Sequence, residues 1–424
     1  MFRIKRYKWF VLCLFAGNAM YAQTVYRTEI YTNQIKSLQV KVEGELISEP
    51  YIELNGDKAL EINFDALNHS QGRYVYSIIH CDADWQKSTL SPIEYMDGFQ
   101  GMTIDDFAQP INTTTHYINY RLYLPNDNIR FKVSGNYAIL VSEEDTPDKV
   151  VFSARFAVYE SLIGIRAEVS GNTDVGFHKI HQQVSFQIDT KNLSIMYPQT
   201  DLKIRVCQNN RSDNVATHLQ PSSIANNRLT YEHQPDLIFE AGNEYRRIEF
   251  LTHRYNGMNI ERIQYFNPYY HADVTVDQSR ADQSYHYDQD QNGRFFIRCS
   301  NCQEPDIESD YYIVHFAYAS EPMPKGNLYL HGDLFQNRLD KNSLMEYNPE
   351  TKQYEKIVLL KQGYYNYQYL FLPEGETKGQ SVRTEGSFYQ TENEYTIAVY
   401  YRPMGVRYDR LIGKATLRNT QEVL

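Results

Sequence analysis

Apolar and polar residues alternate with a period of two along most of the chain, and this pattern limits its fold more than any other feature. Successive side chains of a β-strand point to opposite faces, so the period predicts strands with one buried face. After residue 30, no stretch keeps a helical apolar period for more than about two turns. The sequence therefore predicts an all-β protein. Its clearest predicted strands are 74–81, 117–124, 137–141, 150–158, 312–318, 365–371 and 395–401.

The composition agrees with half-buried strands and with more than one core. The chain has 37 Tyr and 20 Phe but only 2 Trp, and tyrosine suits a strand position where the ring packs and the hydroxyl reaches water. At 424 residues the chain is too long for one hydrophobic core. Short strands joined by polar turns predict tandem immunoglobulin-like β-sandwich domains. The predicted segments are a signal peptide (1–22), an N-terminal β-sandwich (23–160), a middle β-rich domain (161–305), a C-terminal immunoglobulin-like β-sandwich (306–417) and a tail (418–424).

The N-terminus has the pattern of a cleaved signal peptide. Four positive charges precede the apolar run Phe10–Phe15, and small residues follow it up to Ala22. The run is too short to span a bilayer, and Cys13 lies inside it, which does not favour lipidation. Removal of residues 1–22 would change the net charge from −11 to −15. This charge argues against nucleic acid and against anionic membranes as partners.

No catalytic or metal-binding motif stands out. His80, Asp82 and Asp84 could share a strand face, but a loop is favoured there because the strand ends near Cys81. Residues 288–293, DQDQNG, match half of a calcium loop but lack its final glutamate, so the Asn-Gly pair favours a hairpin between strands at 285–287 and 294–297. Cys299 and Cys302 form a C-x-x-C without a second pair, and a loop disulfide is favoured over a redox role. We expect no enzyme, no cofactor and no metal.

The last third of the chain resembles the immunoglobulin-like sandwich of starch- and glycogen-binding modules. A strand leads into His331-Gly332-Asp333, a charged hairpin follows, and residues 363–367 read GYYNY. Those modules hold sugar on exposed tryptophans, and residues 334–338 contain none. The resemblance therefore implies the fold more than sugar binding.

The segment at 400–411, YYRPMGVRYDRL, combines three arginines with three tyrosines in an otherwise acidic chain. Tyrosine and arginine are enriched at interface hot spots, so this segment is a candidate partner-binding site. An edge loop whose arginines pair with local acids is an equally good interpretation. The candidate partner-binding residues are Tyr401, Arg402, Arg407, Tyr408 and Arg410.

Several motifs together resemble the plug protein family of the Bacteroidota type IX secretion system. They occur in the family's order at both ends of the chain, whereas the middle third matches less distinctly. The matching stretches are 78–85 (IIHCDADW), 94–99 (EYMDGF), 112–114 (NTT), 120–122 (YRL), 362–369 (QGYYNYQY), 385–389 (EGSFY), 392–395 (ENEY), 400–403 (YYRP) and 407–411 (RYDRL).

The resemblance implies a non-catalytic periplasmic protein at the inner side of the outer membrane. Such a protein would bind the large β-barrel translocon of the secretion system and close its periplasmic opening. It implies no small-molecule substrate and no direct insertion into the membrane. The alternatives are a carbohydrate-binding or surface-glycan-associated envelope protein, suggested by the tyrosine-rich last domain, and a secreted hydrolase with unrecognised carboxylates.

Overall fold

A computed structural model describes residues 24–68 and 70–419. The predicted signal peptide lies outside these residues. The described chain is 47% strand and 5% helix, so the prediction of an all-β protein built from sandwiches is confirmed. None of the helices in this part of the chain is long and apolar enough to cross a membrane.

The first packing unit is a sandwich of two sheets around one apolar core. Its core side chains all lie between residues 35 and 158, inside the predicted N-terminal domain. One sheet has the order β1-β12-β11-β5-β7, with β3 parallel to β12, and the other has the order β2-β4-β9-β8. Its elements are β1 Glu29–Ile30, β2 Ile35–Val42, β3 Tyr51–Glu53, β4 Leu60–Ala66, β5 Tyr74–Cys81, α1 Pro92–Tyr95, β6 Met96–Asp97, β7 Met102–Thr103, β8 Asp106–Ala108, β9 Ile118–Leu124, β10 Arg130–Phe131, β11 Gly135–Glu143 and β12 Val150–Tyr159.

The second packing unit begins directly after the first. Residues 164–240 form only part of it, and its remaining strands come from the end of the chain. A sheet of order β13-β16-β20-β19, with β21 beside β16, supplies one of its layers. The elements are β13 Gly164–Ser170, β14 Asn172–Thr173, β15 Gly176–Phe177, β16 His181–Asp189, α2 Pro198–Asp201, β17 Leu202–Gln208, β18 Val215–Ala216, β19 Ser223–Ala225, β20 Arg228–Tyr231, a 3₁₀ helix Pro235–Leu237 and β21 Ile238–Glu240.

The third packing unit has its own core, made of residues between 248 and 369. Its sheets have the orders β22-β30-β25, with β27 also beside β30, and β23-β24-β26-β29-β28. The predicted strand 365–371 is confirmed as part of β30. The rings of Tyr365, Tyr367 and Tyr369 belong to this core, and Phe371 is buried outside it. The elements are β22 Arg246–Phe250, β23 Ile260–Phe266, β24 Tyr269–Val274, β25 Phe295–Ile297, α3 Pro305–Glu308, β26 Tyr311–Ala319, β27 Gly326–His331, a 3₁₀ helix Asp333–Phe335, β28 Glu346–Asn348, β29 Gln353–Lys361 and β30 Gly363–Pro373.

The last two strands return to the second unit. They are β31 Glu394–Tyr401 and β32 Arg410–Arg418, and they complete a sheet of order β18-β17-β31-β32. The second core therefore combines side chains from 184–239 with side chains from 395–412. The third unit is inserted into the second.

Strand pairing does not follow the predicted boundary between 305 and 306. β24 runs parallel to β26 across it, and β25 pairs with β30. Backbone hydrogen bonds carry no sequence signature, so alternation alone could not show that these distant strands pair. We propose domains that follow the packing, with the second made of two chain segments on either side of the third.

The predicted strand at 285–287 is absent, because those residues have no regular structure. The turn itself forms, since Asn292 and Gly293 have φ values of 51° and 85°, but it follows an irregular loop rather than a strand. Asp290 explains the loop: its carboxylate accepts hydrogen bonds from the backbone N–H groups of Tyr245 and Asn292.

Buried polar contacts join the first unit to the third. Lys361 of β29 contacts Asp65 of β4 at 2.6 Å, and both side chains are almost fully buried. The Tyr311 hydroxyl donates to the same carboxylate at 2.6 Å. Asp310 accepts hydrogen bonds from the backbone N–H groups of Thr114 and Thr115, at 2.8 and 3.0 Å. These contacts fix the position of the third unit on the first.

Candidate functional site

The loop between β31 and β32 lies where the second unit meets the first. Tyr401 and Arg410 form the last pair of the β31–β32 ladder, so residues 402–409 make the connection. Met404 at the loop tip is 94% exposed, and Gly405 beside it has a φ of 86°, which suits glycine. The loop therefore holds a large apolar side chain in solvent.

Asp409 fixes the base of this loop. Its side chain is fully buried and accepts a hydrogen bond from the Ala83 N–H at 2.8 Å and from the Lys203 ammonium at 3.0 Å. Ala83 belongs to the first unit and Lys203 to the second. One carboxylate thus ties the loop to both units, which gives the exposed tip a defined position.

The five predicted partner-binding residues do not share one role. Tyr401 is buried in the second core, and the Tyr408 ring packs half-buried against His80, with 5.5 Å between ring centroids. Arg410 binds Glu160 through two hydrogen bonds of 3.2 and 2.9 Å. Arg402 and Arg407 are exposed. The first three side chains therefore pack or pair within the protein.

Arg402 and Arg407 reach solvent, but each also faces an acid: Arg402 lies 3.9 Å from Asp409, and Arg407 pairs with Glu94. The edge-loop interpretation thus applies to these arginines as well, and partner binding by the five residues stays a prediction.

The structure adds α1 to this surface. The Arg407 guanidinium pairs with Glu94 of α1, and the Thr89 hydroxyl donates to the Arg407 carbonyl at 3.2 Å. Glu94 also accepts a hydrogen bond from the N–H of Ser91, which caps the start of α1. Ile93 of the same turn is 75% exposed.

The second short helix adds further apolar side chains. The Arg402 N–H donates to the Asp201 carbonyl of α2 at 2.8 Å. Just before α2, Met196 and Tyr197 are 75% and 58% exposed. We name the surface made of Ile93, Glu94, Met196, Tyr197, Arg402, Met404 and Arg407 the hairpin face. Sequence reasoning found its arginines and missed Ile93, Met196 and Tyr197, because its three segments lie far apart in the chain.

The other residues considered from the sequence have structural partners. His80 is buried between Ser88 and Ser134, at 2.8 and 3.3 Å, and burial lowers its pKa to about 4. Asp82 accepts the N–H groups of Asp84 and Gln86 within its own loop, and Asp84 pairs with Arg205 at 3.2 Å. The three side chains do not converge on a common ligand.

The turn at 288–293 likewise uses its acids internally. Asp288 pairs with Arg247, and burial raises the pKa of Asp290 to about 8. Cys299 and Cys302 form a disulfide. Over residues 24–68 and 70–419, no group of three or more His, Cys, Asp or Glu side chains is placed to hold a metal ion.

The fold and the hairpin face define the class of protein: a multi-unit all-β protein whose described surface has an exposed face of apolar side chains and two arginines. Comparison with known proteins gives the family. Residues 35–160 match the family model of the type 9 secretion system plug protein 1st domain. The chain belongs to the type IX secretion plug family, a non-catalytic type of secretion component.

A solved structure supports the whole fold. The crystal structure of a hypothetical protein from Parabacteroides merdae ATCC 43184 is 61% identical in sequence, with a TM-score of 0.93. The similarity covers 94% of this chain and 100% of that one. Among curated proteins, none matches the chain.

Proposed function

We propose that this plug-family protein works in the periplasm, where it binds the outer-membrane β-barrel translocon of the type IX secretion system and closes the barrel's periplasmic opening. The observation that carries the proposal is the hairpin face, which projects apolar side chains and two arginines from an otherwise acidic protein. The periplasmic location is supported by the signal-peptide pattern of residues 1–22 and by the secretion family.

The chemistry of the hairpin face fits a protein partner. Apolar side chains such as Ile93 and Met404 supply area that leaves water on binding, and arginine offers planar, bidentate hydrogen bonding to carboxylates. Short helices and a hairpin loop anchored by Asp409 hold these groups in place. A pre-positioned surface loses less conformational entropy when it docks.

Closing a pore needs no chemistry, only a body that keeps its shape. Three sandwiches joined by buried contacts such as Asp65–Lys361 make such a body. The acidic charge of the protein opposes binding to anionic membrane surfaces and so favours a protein partner over the lipid around it.

The test is co-purification of the translocon from detergent-solubilised outer membranes with a C-terminally tagged protein. Wild type is expected to bring down a very large β-barrel protein, identified by mass spectrometry. The pairs Arg402→Ala/Arg407→Ala and Ile93→Asp/Met404→Asp are expected to reduce its yield at least tenfold. Tyr401 and Arg410 are poor probes, because their substitution would disturb folding.

Arg73→Ala is the matched control. Arg73 is 64% exposed and pairs with Glu144, away from the hairpin face. The Arg73→Ala protein should recover as much of the barrel protein as wild type does. If both pairs of hairpin-face variants recover the barrel as well as Arg73→Ala does, this face is not the docking surface. If wild type recovers no barrel after mild cross-linking, the plug function itself is wrong.

Glycan binding is a second candidate, and one feature of the third unit favours it. Tyr265 and Phe266 at the end of β23 are 51% and 57% exposed, and the Tyr265 and Tyr270 rings are 5.0 Å apart. Aromatic rings of this kind can stack on sugars. Saturable binding of a glycan that Tyr265→Ala/Phe266→Ala abolishes would support this function, and no binding across a panel of envelope and plant glycans would exclude it.

A further inference from the structure

A cleft of about 580 Å³ lies at the junction of the three packing units. Each unit contributes to its wall: Tyr51 and Arg155 come from the first, Arg205 from the second, and Asn337 and Arg338 from the third. This volume lies within the range of small-molecule sites, which is roughly 300–1,000 Å³. Neither the fold class nor the docking function accounts for such a space between the units.

Among the arginines that line the cleft, Arg155 lies close enough to Arg205 and Arg27 to be repelled by both. Arg155 projects from β12, Arg205 from β17, and Arg27 precedes β1. The Arg205 guanidinium pairs with Asp84 at 3.2 Å. In the described part of the chain, no carboxylate lies within salt-bridge distance of Arg27 or Arg155. Three positive charges therefore share one carboxylate.

Arg155 is held in place rather than free in solvent. Its Nε–H donates to the Tyr26 carbonyl at 2.5 Å, and its guanidinium lies 4.4 Å from the ring centroid of Trp85. Burial, together with repulsion from Arg205 and Arg27, lowers the pKa of Arg155 to about 9. The fold thus keeps an uncompensated positive charge in a sheltered position, which is unfavourable unless an anion is present.

Three of the four acids in the cleft wall are paired with neighbouring cations, Asp84 among them, and the fourth, Asp333, accepts a hydrogen bond from the Asn337 amide at 3.0 Å. Glu49 pairs with Lys414 at 3.1 Å and accepts the Thr396 hydroxyl at 2.6 Å. Asp213 binds Arg211 at 2.7 Å. These pairings reduce the repulsion that an entering anion would meet.

We propose that this cleft binds the phosphate group of a small organic phosphate. Arg27, Arg155 and Arg205 hold the phosphate oxygens, since the guanidinium fork matches this geometry. The body of the ligand lies along the remaining cleft beside Trp85 and Tyr51. A ligand there contacts all three units at once.

The protein carries a probe for this binding. Its two tryptophans are Trp9 and Trp85, so a protein lacking residues 1–22 reports fluorescence from Trp85 alone. The experiment titrates inorganic phosphate and glycerol phosphate at constant ionic strength, with sodium chloride as the salt control. A saturable change in Trp85 emission with either phosphate, and none with chloride, is the expected result.

Two variants localise the signal. Arg155→Gln should weaken phosphate binding at least tenfold. The Trp85 emission of each variant is compared with the emission of the same variant without phosphate. Arg27→Gln should weaken phosphate binding severalfold. Because the Arg27 side chain is exposed, this substitution should not disturb folding. Arg73→Gln, far from the cleft, should bind as wild type does.

Three results would overturn the proposal. One is the absence of a phosphate-specific change in wild type. Another is unchanged affinity in both Arg155→Gln and Arg27→Gln. The third is a change with phosphatidylglycerol vesicles but with neither soluble phosphate, since it would assign the phosphate to a lipid headgroup rather than a small ligand. None of these outcomes bears on translocon binding.

Discussion

At the scale of single residues, the burial of acidic side chains between the packing units changes their pKa values, and Glu244 is an example. Glu244 is 1% exposed; its Oε1 accepts hydrogen bonds from the Tyr285 hydroxyl at 2.6 Å and the Glu392 N–H at 3.0 Å. Burial raises the pKa of Glu244 to about 7. No sequence pattern predicts this pKa, because Glu244 lies in the irregular segment between β21 and β22. Its environment comes from residues about 40 and 150 positions away in the chain.

The raised pKa of Glu244 predicts that the free energy of unfolding falls as pH rises. The folded state keeps the proton up to about pH 7, whereas the unfolded state loses it near 4.5. The stabilisation is therefore fully present below pH 4.5 and lost as pH passes 7, by up to about 3 kcal/mol. Glu244→Gln keeps both acceptor contacts and removes the titration.

Urea unfolding at pH 5, 6, 7 and 8 checks this prediction. The stability of Glu244→Gln relative to wild type should increase from pH 5 to pH 7 and level off towards pH 8. Parallel curves for the two proteins would contradict it. Other acids titrate too, so the difference between the proteins is the quantity to compare.

At the scale of elements, the pairing of β31 shows which packing unit the end of the chain belongs to. Its seven ladder pairs with β17 join residues 202–208 to residues 395–401. The alternation of 395–401 predicted a strand with one buried face; the strand is confirmed, but both of its faces are buried, because β31 lies inside the protein. It could not reveal the partner strand, because backbone ladders accept any residue type other than proline in either strand.

The Ile397 side chain of β31 should therefore stabilise the second unit rather than the third. It is fully buried in the second core, so Ile397→Ala should lower the free energy of unfolding by about 2–5 kcal/mol. Ile357→Ala is the control, because that side chain is 63% exposed on β29 and its loss should change stability by less than about 0.5 kcal/mol.

Hydrogen exchange followed by mass spectrometry locates the effect. Loss of protection in Ile397→Ala should concentrate in residues 184–239 and 395–412. Loss concentrated instead in residues 306–373 would mean that β31 belongs with the third unit.

For the whole molecule, one of the contacts that hold the third unit on the first is the buried ion pair of Asp65 and Lys361. Burial lowers the pKa of Lys361 and raises that of Asp65, with their mutual attraction opposing both shifts. The Lys361 ammonium also lies 4.1 Å from the centroid of the Tyr117 ring. Breaking a buried pair by removing one partner leaves an uncompensated charge.

Lys361→Met should lower the free energy of unfolding by about 3–5 kcal/mol, because Asp65 stays buried without its cation. Asp65→Asn/Lys361→Met should recover part of this loss. Lys352→Met, at an exposed pair with Glu321, should change stability by less than about 1 kcal/mol. Calorimetry of the four proteins measures this, and an equal loss in the single and double variants would contradict it.

The sequence by itself determined the all-β class, most strand positions and the plug family. Each of these depends on local alternation or on short motifs that are each contiguous in the chain. Only the tertiary structure decided that the third unit is inserted into the second and that Tyr401 packs in a core while Arg410 pairs with Glu160. It also decided that the loop with Arg402 and Arg407 contacts α1 and α2. Alternation specifies which side of a strand is buried, whereas strand partners and ion pairs depend on contacts between residues hundreds of positions apart.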